Sequence, residues 1–133
     1  MSQENVENVI RRYVAAMSAP DGDRAAALTA DDAVIELPDG TTLKGKEGAR
    51  QFAAKHVETD GQKRSVRLVS LDETRTPGHV LALLEMTNRE MDTGELLYSL
   101  DVGSVFEVRD GLVLRQRVFP SSAEALKAVG LEE

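Results

Sequence analysis

The stretch Val9–Gly40, VIRRYVAAMSAPDGDRAAALTADDAVIELPDG, carries the order of elements that decides the fold. Val6, Val9, Ile10, Tyr13, Val14 and Met17 recur at i, i+3, i+4, i+7, i+8 and i+11, which is the apolar stripe of an α-helix from about Gln3 to Ser18. Pro20 and Gly22 end that helix. Asp21 or Asp23 is placed to cap a short second one through Ala25, Ala26 and Leu28. Ala33 to Leu37 then reads as a strand, and Asp39-Gly40 is a hairpin signal leading into a further strand over Thr41 to Leu43.

Working outward, Ala49, Phe52, Ala53, His56 and Val57 repeat the helical spacing and predict a third helix from Lys46 to about Glu58. Three β-rich segments follow, Arg64–Thr74, His79–Met91 and Glu95–Arg109, with turns at Thr76-Pro77-Gly78 and Asp92-Thr93-Gly94. Asp110-Gly111 turns the last of these into Leu112–Phe119. Pro120 breaks that strand, and Ser121 or Ser122 can cap a closing helix, Ala123–Val129, ended by Gly130. Helices first and a long meander after them specify an α+β fold. Its curved antiparallel sheet carries three helices on the concave face and a short C-terminal helix. At 133 residues the chain has room for one core, so residues 1–133 read as a single domain.

Composition excludes several function classes. The 23 acidic and 16 basic residues give a net charge of −7, against the clustered Lys and Arg that a nucleic-acid partner requires. Two tyrosines, three phenylalanines and no tryptophan leave little for stacking bases. No apolar run reaches membrane-spanning length and the first residues lack an apolar signal segment, so the expected location is cytoplasmic. There is no cysteine, and the two histidines, His56 and His79, sit in different predicted elements. Neither a metal site nor a cofactor is expected.

The segments RRYVAAM, ADDAVIELPDG and SVFEVRDGLV resemble the SnoaL-like and ketosteroid isomerase-like proteins of the nuclear-transport-factor-2-like superfamily. The resemblance implies a cone-shaped α+β domain with a pocket, and the two-fold pairing common in that family. It places Tyr13 where the isomerases hold an oxyanion donor. It also puts Leu37 where their aspartate base stands, and Ser104 where a protonated aspartate gives a second donor. Leucine moves no proton, so steroid isomerisation by that mechanism is not expected. The aspartate–arginine–aspartate set of the related limonene-epoxide hydrolases would fall on Thr87, Glu85 and Val118. The polyketide cyclases place their acid/base near Arg117, Val118 and Phe119. Neither set is present.

The residues themselves leave a few groups to weigh. A phenol on an apolar stripe, such as Tyr13, either donates to a ligand or is a core tyrosine tied to a neighbouring strand. Glu85 lies in the apolar run VLALLEM, where desolvation would favour its protonated form and suit it to proton transfer; otherwise it pairs with an arginine. His56 is either a pocket group or a satisfied core histidine. Strand parity puts Tyr98, Leu100, Val102, Ser104 and Phe106 on one face of their strand. Asp101 then lies on the other, as does an apolar outward set of Leu84, Met86, Leu97 and Val105 suited to a homodimer contact. A plain two-residue turn at Asp110-Gly111 sets Ser104 opposite Arg117, whereas the resemblance sets it beside Val118; a bulge would reconcile them. The expected lining is thus Tyr13, Met17, Leu37, Phe52, His56, Glu85, Thr87, Tyr98, Ser104, Phe106 and Val118, with Tyr13 and Glu85 the catalytic candidates. The function so read is binding of a small apolar or amphipathic molecule, as an isomerase, cyclase or hydrolase. The alternative is a non-catalytic ligand-binding or protein-interaction module.

Overall fold

The computed structural model describes residues 3–19, 21–54, 62–74 and 78–130. Its elements run α1 (Gln3–Ser18), α2 (Gly22–Ala27), β1 (Thr29–Glu36), β2 (Thr42–Lys44) and α3 (Gly45–Ala54). They continue through β3 (Gln62–Glu73), β4 (His79–Glu90), β5 (Leu96–Arg109), β6 (Leu112–Phe119) and α4 (Ser122–Ala128). The six stripe residues of α1 are all buried, as their spacing predicts. Asp21 caps α2, its carboxylate accepting from the Arg24 amide at 3.1 Å. Ser121 caps α4 in the same manner through Glu124 N at 3.2 Å. The α3 ammonium of Lys46 donates to the Ala26 and Thr29 carbonyls, at 3.0 and 2.7 Å, and so ties α3 to the end of α2 and the start of β1.

The strands form one curved sheet in the order β2-β1-β6-β5-β4-β3. Four neighbouring pairs are antiparallel, as expected, but β1 and β6 run parallel, so the sheet is mixed. That pair joins strands from opposite ends of the chain, where no hairpin dictates direction. β1 also begins four residues before the expected Ala33: Thr29 is buried, with its hydroxyl on the Ala25 carbonyl at 2.7 Å. The third helix is described to Ala54, and the rest of its expected span, including His56, lies outside the described residues.

Two positive-φ residues, Asp110 (54°) and Gly111 (78°), make the β5–β6 turn that twisted antiparallel strands favour. The register nonetheless shifts between Glu107 and Val108: Val108 pairs with Val113 and Glu107 with Arg115, leaving Leu114 as an extra residue. This bulge sets Ser104 opposite Val118.

One core fills the space between α1, α2, α3 and the inner sheet face, built on Ile10, Tyr13, Ile35, Phe106 and Val113. A smaller one lies under α4 on the outer face, where Leu81, Val105 and Ala125 meet. Gly103 makes that docking possible, because a Cβ there would stand 2.5 Å from the Ala125 Cβ.

Candidate functional site

Between the helices and the inner face of the sheet lies a cavity of about 430 Å³. α1 contributes Tyr13, Val14 and Met17; the β1–β2 connection contributes Leu37, Pro38 and Asp39; α3 contributes Phe52. The sheet contributes Arg64, Val66, Leu84, Met86, Leu100, Val102, Ser104, Phe106, Gln116, Val118 and Phe119, with Pro120 just beyond. Pro38, Asp39, Leu100 and Pro120 are exposed and rim the mouth, whereas Tyr13, Ser104, Phe106 and Gln116 are buried at the closed end.

That closed end holds a directed chain of hydrogen bonds. The Tyr13 phenol donates to Gln116 Oε1 at 2.9 Å, and Gln116 Nε2 donates to Ser104 Oγ at 3.1 Å. Ser104 accepts at its oxygen and keeps its own proton to donate, so the chain presents a hydroxyl to the cavity. The Tyr13 ring meets Phe106 edge to face, centroids 5.6 Å apart at 79°. Burial pushes the Tyr13 phenol far above its ordinary range, since a phenolate there would be stripped of water. Tyr13 is therefore a core tyrosine tied to a strand, its proton given to Gln116, and it also forms part of the cavity wall.

Of the expected lining residues, Tyr13, Met17, Leu37, Phe52, Ser104, Phe106 and Val118 meet at the cavity. Glu85 and Thr87 do not. β4 has the opposite parity from that expected: Leu84 and Met86 face inward, opposite Val102 and Leu100, and Glu85 faces outward, opposite Asp101. Glu85 is 34% exposed and paired with Arg67 at 3.3 Å, so it is not the desolvated carboxylate that proton transfer would use. Tyr98 keeps the expected parity but lies past the mouth and is exposed. Leu84 and Met86 leave the expected outward apolar set for the cavity; Val105 faces outward as expected but is covered by α4, and Leu97 stays exposed. Asp101 faces away from the cavity, as its parity requires.

The residue that sequence reasoning passed over is Gln116. The signal was available: once a bulge turns Val118 inward, Gln116 two residues earlier must face the same way. Arg64 was also missed, because charges stand at both parities along β3 (Lys63, Arg64, Arg67, Asp72, Glu73), which hides which of them turn inward. Among the described residues no group of three His, Cys, Asp or Glu is placed to hold a metal ion, and no helix is long and apolar enough to cross a membrane.

A family model described as SnoaL-like domain matches residues 10–116. No curated protein matches the chain. Solved structures share its fold at low identity. An epoxide hydrolase of Mycobacterium tuberculosis is 18% identical, with a TM-score of 0.69 over 95% of this chain and 90% of its own. A second M. tuberculosis protein, in complex with estradiol-17β-hemisuccinate, is 23% identical, with a TM-score of 0.66 over 86% of this chain and 92% of its own. The Δ5-3-ketosteroid isomerase from Mycobacterium sp. is 20% identical, with a TM-score of 0.65 over 86% of this chain and 92% of its own.

Proposed function

The chain belongs to the SnoaL-like domain family, and from that premise we propose that it binds a small, largely apolar molecule in the cavity, with Ser104 donating to one polar oxygen of that ligand. The observation that supports this most is the Tyr13–Gln116–Ser104 chain, which ends in a hydroxyl with a proton left to give, in an otherwise apolar wall. Three polarised groups in line hold that donor in place before any ligand arrives. A volume of about 430 Å³ suits a ligand of drug-like size. Similar structures hold an estradiol derivative in one case and carry isomerase or epoxide hydrolase activity in others, which favours the same class of occupant.

Catalysis of the isomerase, cyclase or hydrolase kind is the second reading, and one observation favours it. Asp39 lines the cavity mouth two residues past Leu37, with its Oδ1 accepting from the Thr41 amide at 2.8 Å. It is the carboxylate among the described lining residues, so any acid/base step would draw on it rather than on Glu85. The domain pairs as a homodimer in this reading, through exposed apolar residues of β5 that include Leu97.

A thermal-shift panel of small ketones, epoxides, lactones and neutral steroids tests the proposal. A ligand at a hundred times its Kd stabilises by about 2.7 kcal/mol, which raises the melting temperature by several degrees. At least one compound should do so for the native chain and not for Val102→Trp, which fills the cavity. No shift across the panel, or a shift that survives Val102→Trp, overturns it. Turnover of a stabilising ketone, epoxide or lactone that Asp39→Asn abolishes would establish the catalytic reading.

A further inference from the structure

Arg64 stands on the inner face of β3 at the far edge of the sheet, and it lines the cavity beside Val66 and Met86. Its Nε is buried and has no hydrogen-bond acceptor. The polar side chains nearest in register do not help: Asn88, its partner on β4, donates to Gln62, two residues before Arg64 on its own strand. Elsewhere on the sheet, arginines are matched. Arg67 pairs with Glu85, Arg115 and Arg117 with Glu36, and Arg109 with Glu107. A guanidinium facing an apolar cavity with a buried, unmatched N–H is a poor choice for packing alone, because an unmade hydrogen bond from a charged donor is costly.

We propose that Arg64 receives the acidic group of the ligand, so that the natural occupant is an amphipathic organic anion such as a carboxylate or sulfonate. This rests on the cavity being a ligand site. The planar fork of a guanidinium matches two oxygens of one acidic group, including an acceptor for Nε–H. The apolar body then lies against Val66, Met86 and Leu100, and its other end reaches toward Ser104. Asp39 follows β1, toward the opposite edge of the sheet from β3, and its Oδ1 accepts from the Thr41 amide. The chain as a whole carries a net charge of −7. Long-range electrostatics therefore repel anions, and any preference for one must be local.

Two fluorescent probes of one skeleton make the test: 1-anilinonaphthalene-8-sulfonate and its uncharged parent N-phenyl-1-naphthylamine. The native chain should bind the sulfonate about ten- to a hundred-fold more tightly than the parent, the range a charged hydrogen-bonded pair provides. Arg64→Met, which keeps the apolar stem, should remove that preference and leave the parent's affinity within about twofold. Arg64→Lys, which keeps the charge without the fork, should retain part of it. Equal affinity of the native chain for both probes overturns the anion assignment and leaves the cavity reading standing. So does a preference that survives Arg64→Met. If neither probe binds, or if Val102→Trp changes neither affinity, the cavity reading falls and the anion assignment with it.

Discussion

Tyr13 on the first helix and Gln116 on the last strand, 103 residues apart, are joined by a buried hydrogen bond of 2.9 Å. That bond closes the domain: it links the first and last long elements at the end of the cavity, and it aims the Gln116 amide at Ser104. Tyr13→Phe keeps the ring against Phe106 but leaves Gln116 Oε1 buried without a donor, so it should destabilise by about 1–3 kcal/mol. Gln116→Leu should cost a similar amount. Tyr13→Phe with Gln116→Leu should cost less than the sum by about 1 kcal/mol or more, because neither orphan then remains. Denaturant titration of the four proteins measures the coupling. Strict additivity would mean the bond contributes nothing, and the directed chain to Ser104 would lose its basis.

The same burial sets the alkaline limit of the fold. The phenol of Tyr13 ionises near pH 10 in the unfolded chain and far above that in the folded one. Below about pH 10 both states hold the proton and stability does not depend on this group. Above it the unfolded chain loses a proton that the folded chain keeps, so stability should fall by up to ~1.4 kcal/mol per pH unit. In Tyr98→Phe, Tyr13 is the remaining tyrosine. Its phenolate absorbance should then rise only together with the loss of far-ultraviolet circular dichroism. Ionisation ahead of unfolding would show that Tyr13 is open to solvent.

No steroid isomerase activity is expected, because Leu37 stands at the cavity where a carboxylate base would be needed. A β,γ-unsaturated ketosteroid should convert no faster with the protein than in buffer. Leu37→Asp should give at most weak turnover: Ser104 offers a hydroxyl, a poorer donor to a developing oxyanion than a protonated carboxylic acid. Strong turnover by the native chain would identify another base, with Asp39 first to be tested.

Legibility in the sequence differs from element to element. Helix α1 was legible because six apolar residues share one stripe, and its burial followed. Strand β5 was legible because Ser104 and Phe106 fixed its parity. Strand β4 was not, since VLALLEM is apolar on both faces: Leu81 and Leu83 pack on the α4 side, whereas Val80 and Ala82 join the main core and Leu84 and Met86 line the cavity. Glu85 inside that run therefore looked buried when it lies on the outer face beside Arg67. The parallel β1–β6 pair was invisible because no local turn encodes contact between chain ends.

Gly103 should resist any side chain. The Cβ of Gly103→Ala would stand 2.5 Å from that of Ala125, so α4 must lift or the strand must bend. Overpacking of this kind costs about 1–3 kcal/mol. Adding Ala125→Gly removes the opposing methyl. The double variant should recover part of the loss despite the ~1 kcal/mol that glycine costs inside a helix. Thermal melts decide this, and a double variant weaker than both singles combined would show that the clash is not the cause.

Finally, Leu96, Leu97, Tyr98 and Leu100 are all exposed along the first residues of β5, on both faces of the strand, with Met91 exposed just before them. Four large apolar side chains in five residues make a patch that a lone domain would leave as an aggregation hazard. Covering it with a second copy removes the hazard and places the partner next to Leu100, which also rims the cavity. Sedimentation at micromolar concentration should find a dimer. Leu97→Lys should shift it toward monomer, because a lysine at the centre of an apolar contact loses its hydration without gaining a partner. A native chain that sediments as a monomer at every concentration would rule the pairing out.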